Sequence, residues 1–210
     1  MGRIVSGRQG SRKDIITKKA IRLFKEKGFT ATSMRDLAEA VGVEAPSLYN
    51  HISGKSEILQ HICFKVANLF TTNLIETETH TISALQRIEL IIRFHIRMML
   101  EEFESVYISD HEWKHLPEPY LSNFKNQRTS YRAQLAKIIT EGITNNEIKN
   151  IDPYITVITI LSAIGGIEMW HRKKDPDPKT LEENIVCIFI DGIRNPTMNR
   201  VSLHPIKIAN

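Results

Sequence analysis

Cysteine is scarce, with two in 210 residues. Cys63 and Cys187 match no metal-ligand or redox spacing, which excludes a disulfide scaffold. Both are expected as small core residues in a reducing cytoplasm. Long apolar runs are lacking as well. The most apolar window, Tyr154–Trp170, carries Glu168 and several Thr and Ser side chains and falls short of a membrane span. The opening MGRIVSGRQGSRKD has no apolar core of the length a secretory signal needs, so a cytoplasmic location is expected. No internal repeat is present. Acidic side chains are short in one region only. Residues 1–60 hold 11 Lys and Arg against 6 Asp and Glu, a net +5, and the remainder holds 17 against 18, a net −1. With 41% hydrophobic and 25% charged residues, the chain reads as soluble and globular, long enough for one sizeable domain or a small one plus a larger one. The basic excess at one end suits a phosphate-binding surface.

The stretch Ser33–Lys55, SMRDLAEAVGVEAPSLYNHISGK, lies inside that basic end. Ser33 is placed to cap a helix, with Asp36 three residues on to satisfy orphan amides and favour the helix dipole. Met34, Leu37, Ala38 and Val41 fall on one face at helical spacing. Gly42 follows where a helix end turns left-handed. Pro46 suits the first turn of a second helix, which is too short to stand alone and must dock through Leu48 and Ile52. Ser47, Tyr49, Asn50 and His51 are left exposed, a polar and aromatic set suited to a DNA groove and its phosphates. Helix, glycine-containing turn and short second helix form the helix-turn-helix pattern.

Periodicity predicts an all-α chain. A polar arm covers residues 1–10. The first helix spans about Arg12–Lys27, burying Ile15, Ile16, Ala20, Leu23 and Phe24, and Gly28 closes it with Phe29 folding back. Further helices are expected at about Lys55–Glu76, Ser83–Glu104, Glu118–Glu141 closed by Gly142, Ile151–His171 and Lys179–Arg194, with 105–117 irregular. The domains expected are an arm and helix-turn-helix domain at 1–56, a larger helical domain at 57–195 and a tail at 196–210. The helices carrying Ile155, Ile158, Gly165 and Gly166, and Ile185 and Phe189, are too apolar to face only their own domain. A two-fold mate is expected against them, because paired recognition helices need half-sites a helical turn apart.

The run KGFTATSMRDLAEAVGVEAPSLYNHISGKSEIL closely resembles the N-terminal domain of TetR-family transcriptional regulators. The resemblance rests on Gly28-Phe29, Thr32-Ser33, Asp36-Leu37-Ala38, Gly42-Val43, Leu48-Tyr49-Asn50-His51 and Lys55 to Leu59. The chain departs from the pattern at Ile52, where the family usually has Phe, and at Ala45-Pro46, where Gly is frequent. The resemblance implies a homodimeric, ligand-responsive repressor, released from a palindromic DNA operator by an effector, and no cofactor or catalytic activity. It implies phosphate contacts from Thr32, Ser33 and Lys55, backbone contacts from Tyr49 and His51, and base contacts from Pro46, Ser47 and Asn50. It further implies an effector pocket among the middle helices, for which His95, Met98, Met99, Phe103, Trp113, Phe124, Arg128 and Trp170 are the lining expected. The run from Glu112 through Arg128 and Tyr131 to Trp170 resembles a subgroup that answers to acyl-CoA thioesters. An acyl-CoA or fatty-acid-like effector would place its anionic group on Arg128 or Arg132.

Two other readings compete. His111-Glu112-Trp113-Lys114-His115 fits HExxH, the zinc hydrolase signature of two His one helical turn apart with a Glu base. Pro117 and the lack of a long apolar helix argue against it. The other is a helical interaction protein whose headpiece no longer binds DNA.

Overall fold

The computed structural model describes residues 12–79, 81–173 and 175–197. The arm expected at 1–10, Lys174 of the loop after the helix expected over Ile151–His171, and most of the 196–210 tail lie outside the described residues. Among the described residues ten α-helices follow in order: α1 Arg12–Lys27, α2 Met34–Val41, α3 Ala45–Tyr49, α4 Lys55–Glu78, α5 Ala84–Glu101, α6 Phe103–His111, α7 Tyr120–Thr144, α8 Pro153–Gly165, α9 Trp170–Lys173 and α10 Pro178–Ile193. Short 3₁₀ turns occupy Trp113–His115 and Gly166–Met169. The described residues fall into two compact units, one of the residues up to 71 with 101–129, the other of 72–100 with the residues from 130 on.

In the first unit, Ile16, Ala20 and Phe24 form the inner stripe of α1, and Leu37, Leu48, Ile52, Leu59 and Ile62 close over it. Ile15, expected in that stripe, is 40% exposed, and Leu23 only packs against the core's edge. Gly28, at φ +82°, ends α1 with its amide on the Phe24 carbonyl at 2.9 Å, and Phe29 folds back edge-on to Phe24, their centroids 5.2 Å apart. α6 lies where irregular chain is expected. It buries Val106, Ile108 and Ser109 and packs on α1.

The second unit is built on α5, whose Leu85, Ile88, Ile92, Ile96 and Met99 are all buried as their spacing predicts. α7 does not stop at Gly142. The chain turns at Asn146, which takes φ +58°, and the Glu147 and Ile148 amides both return to the Gly142 carbonyl at 2.8 and 3.0 Å. Gly142 instead makes room: a Cβ there would stand 2.6 Å from Ile148 Cδ1 and 3.2 Å from Ala84 Cβ. The buried Glu147 carboxylate accepts the Leu85 amide at 3.0 Å and so satisfies an orphan donor of the first turn of α5. The apolar helix expected over Ile151–His171 is broken after Gly165 by the 3₁₀ turn.

Candidate functional site

The helix-turn-helix is assembled by its caps. Ser33 Oγ accepts the Asp36 amide at 3.1 Å, the Asp36 carboxylate accepts the Ser33 amide at 2.8 Å, and the Ser33 hydroxyl also donates to Asp36. This capping box fixes where α2 begins. The Ser33 hydroxyl and the Lys27 ammonium, 3.0 Å away, hold the Asp36 carboxyl well below the usual carboxylate range. At the other end Gly42, at φ +79°, donates to Glu39 O at 3.1 Å and Val43 donates to Ala38 O at 3.0 Å, the paired bonds of a Schellman close. Pro46 stands in the first turn of α3. Leu48 at 0% and Ile52 at 2% exposure pin α3 down, whereas Tyr49 is 55% exposed. Pro46, Asn50 and His51 are exposed beside it, and Ser47 is half-buried. The five-residue helix and the two residues after it thus carry five of the eight expected DNA-contacting residues on one short segment.

The other three stand differently. Ser33 is exposed and occupied as the N-cap. The phosphate contact expected of the Thr32 hydroxyl gives way to a cap. Thr32 is 1% exposed and its Oγ1 donates to the Gly28 carbonyl at 2.8 Å, closing the end of α1. Lys55 also turns inward. Its Nζ donates to the carbonyls of Phe29, Thr30 and Thr32 at 2.8, 3.1 and 2.8 Å, which uses all three ammonium hydrogens. Glu57, one turn into α4, accepts from Lys13 at 2.6 Å and from the Ser53 amide and hydroxyl, which bring its carboxyl down to about 2.

The eight residues expected around an effector divide between the units. In the first, Phe124 is part of the buried core with Trp113 against it, their centroids 6.2 Å apart. Arg128 lies over both rings and bonds Asp110 at 2.8 Å, so its partner here is a carboxylate of the chain. Phe103 lies under the Lys25 ammonium, 4.6 Å from it. In the second unit Trp170 Nε1 donates to the Pro176 carbonyl at 2.6 Å, and Met98 and Met99 are buried. Of the eight, His95 alone lines the aliphatic cavity there, with Ile88, Ile91, Ile92, Leu135, Ile139, Val157, Ile160, Leu161 and Ile164 as the remaining wall. The cavity encloses about 10 Å³, no more than a single water. His95 Nε2 lies 2.6 Å from Tyr131 Oη, and burial brings the imidazole down to about 3 and pushes the Tyr131 phenol up. Periodicity had no means of finding this wall, because which branched side chains face one another depends on how α5, α7 and α8 cross.

α8 and α10 leave apolar surface outside that wall. Tyr154, Ile155, Ile158 and Ile188 are exposed, Ile155 by 64%, and Ile185 and Phe189 are half-buried. An open groove of about 370 Å³ is lined by Ile151, Ile155, Ile160, Phe189 and Ile193 with Asp152, Thr156 and Thr159. Among the described residues, apart from the chain neighbours and the backbone of their own helix, nothing lies within 4 Å of where a Cβ on Gly165 or Gly166 would be. The HExxH residues do not share a helix. His111 ends α6, Glu112 follows, and His115 closes the 3₁₀ turn with Nε2 3.4 Å from Glu112 Oε2.

A basic headpiece with a capped helix-turn-helix, joined to a helical body, defines a helix-turn-helix DNA-binding regulator. The comparisons place it more closely. The family described as bacterial regulatory proteins, tetR family, matches residues 16–62, and the tetracyclin repressor-like C-terminal domain matches residues 81–193. The chain belongs to the TetR family of bacterial regulatory proteins. It is 23% identical over 192 residues, 90% of its length and 96% of the relative's, to the HTH-type transcriptional repressor KstR2 of Mycobacterium tuberculosis. It is 28% identical over 164 residues, 77% of its length and 83% of the relative's, to IcaR of Staphylococcus aureus, a negative regulator of a biofilm operon. The solved structure of KstR2 superposes with a TM-score of 0.82 at 21% identity, covering 91% of this chain and 99% of that one. AibR, solved in complex with isovaleryl coenzyme A and operator DNA, superposes at 0.74 with 22% identity, covering 85% and 97%. At these identities the structures speak for the fold alone.

Proposed function

We propose that this chain is a cytoplasmic, homodimeric repressor that leaves a palindromic operator when a small apolar or acyl-CoA-like effector binds. The observation that carries the reading is the exposure of Tyr49, Asn50 and His51 on a segment whose every buried group is capped or packed. In this reading residues 1–56 bind DNA, 57–195 bind effector and the second copy, and 196–210 are a tail. Pro46, Ser47 and Asn50 face base edges, Tyr49 and His51 contact the backbone, and Ser33 presents its capped amide end to phosphate. Ile155, Ile158, Gly165, Gly166, Ile185 and Phe189 meet their own copies across the two-fold axis, covering apolar surface that the single chain leaves wet.

The effector's hydrocarbon end enters the cavity of α5, α7 and α8. That wall offers nine aliphatic side chains and a histidine held neutral, so an anionic head stays outside it. Since the cavity has room for no more than a water, an effector must favour a widened form. A tenfold preference for that form shifts the balance by about 1.4 kcal/mol. A gel shift on the chain's own upstream DNA tests the reading. Binding should fall steeply with salt and be relieved by acyl-CoA thioesters or fatty acids. Binding that no member of such a panel relieves would leave a constitutive regulator, and no binding at all would remove the reading.

A further inference from the structure

The first unit joins three residues that belong to three separate stretches of sequence. The His115 ring stacks on Phe29 with centroids 5.5 Å apart and planes at 21°. The Lys55 ammonium lies 4.5 Å from the centre of the same Phe29 ring while gripping the carbonyls of Phe29, Thr30 and Thr32. Those carbonyls belong to the loop between α1 and α2, and the next residue is Ser33, the cap that sets the start of α2. His115 is itself held by the 3₁₀ turn, its amide on the Glu112 carbonyl at 3.0 Å. The loop therefore has two external supports, an ammonium from α4 and an imidazole from the turn after α6.

We propose that His115, Phe29 and Lys55 act together as positioning residues for DNA recognition. They set the direction of the α1–α2 loop, and through Ser33 the orientation of α2 and α3, without touching DNA. Lys55 has no hydrogen left for a phosphate, so its contribution reaches DNA through the loop. This assignment rests on the reading of the headpiece as a DNA-binding unit, but its first test does not.

The test follows amide exchange at residues 29–37 in the full-length chain by mass spectrometry, beside binding to duplex DNA of the upstream region. His115→Ala should speed exchange there about fivefold and weaken DNA binding about fivefold, with the melting temperature unchanged. His115→Phe, which keeps the stack, should restore both. Lys55→Met should weaken DNA binding about tenfold and leave the slope of log affinity against log salt as it was. A phosphate ligand would instead lower that slope by about 0.9. Unchanged exchange in His115→Ala, or a lowered slope in Lys55→Met, overturns the proposal. If the wild-type chain fails to bind the duplex, the DNA-binding reading falls, and the exchange result still decides whether the stack holds the loop.

Discussion

The headpiece and the α8–α10 face handle their surfaces in opposite ways. Around α2 and α3 the large apolar side chains are buried or packed against the core, and apart from Pro46 what protrudes is mostly polar or carries a polar tip. On α8 and α10 the inner face of Val157, Ile160, Ile164, Val186 and Ile190 is buried, yet the outer face holds Ile155, Ile158 and Ile188 in contact with water. One region is finished by its own chain, and the other is apolar on both sides. Hydrophobic burial is non-directional, so a helix apolar all round calls for cover on each face. In the proposed function the exposed residues of the headpiece meet a polar partner, and those of the body meet a second copy of the chain.

The sharpest attempt to break that contrast is Ile155→Asp. A charge on a residue 64% exposed in the single chain should leave the fold intact. It should cost about 3 kcal/mol or more at the centre of a dimer interface, splitting the dimer in sedimentation and lowering operator affinity over a hundredfold. A dimer that persists would place the interface elsewhere. Next come two adjacent residues of α3 with opposite expectations. Leu48→Ala should destabilise the headpiece by about 3 kcal/mol in denaturant titration, since it empties a fully buried position. Tyr49→Ala should leave stability within about 0.5 kcal/mol and act on DNA affinity alone.

Gly142→Ala should cost about 2 kcal/mol in the same titration, because the new methyl would overlap Ile148. A gain in stability would show that Ile148 can move aside. The smallest effect expected is Ser33→Ala, about 1 kcal/mol from the lost cap. Acid should separate the regions. Glu57 is depressed from 4.5 to about 2, so its stabilisation is present above pH 4.5 and lost as pH falls toward 2. His95 is depressed from 6.5 to about 3 and stays neutral when folded, so the body begins to lose stability already as pH falls below 6.5. Thermal melts from pH 7 to pH 3 should show the body weakening first, and His95→Gln should flatten that early decline.

Much of the headpiece was legible because its signals are local. A capping serine with an acid three residues on, a glycine at each helix end and a proline at a first turn report on backbone groups a few residues away. The α5 stripe was legible for the same reason, since period 3.6 is a property of one helix. The rest depended on distant chain. α6 went unseen because its Val106, Ile108 and Ser109 make no clean stripe, and α1 supplies the surface that holds it. Gly142 read as a stop because glycine suits left-handed turns, but the turn fell to Asn146 and the missing side chain served Ile148 instead. The family resemblance implied phosphate contacts for Thr32 and Lys55. Both were drawn inward by carbonyls that only the folded loop brings within reach.

The sequence by itself determined an all-helical chain, a capped helix-turn-helix and the family to which both belong, because caps, turns and hydrophobic periods act between near neighbours. The tertiary structure decided which of the headpiece's polar residues are exposed, which aliphatic side chains line a cavity no larger than a water and which are left outside. Those outcomes depend on where separate helices cross, and crossing is fixed by the fit of side chains far apart in the chain.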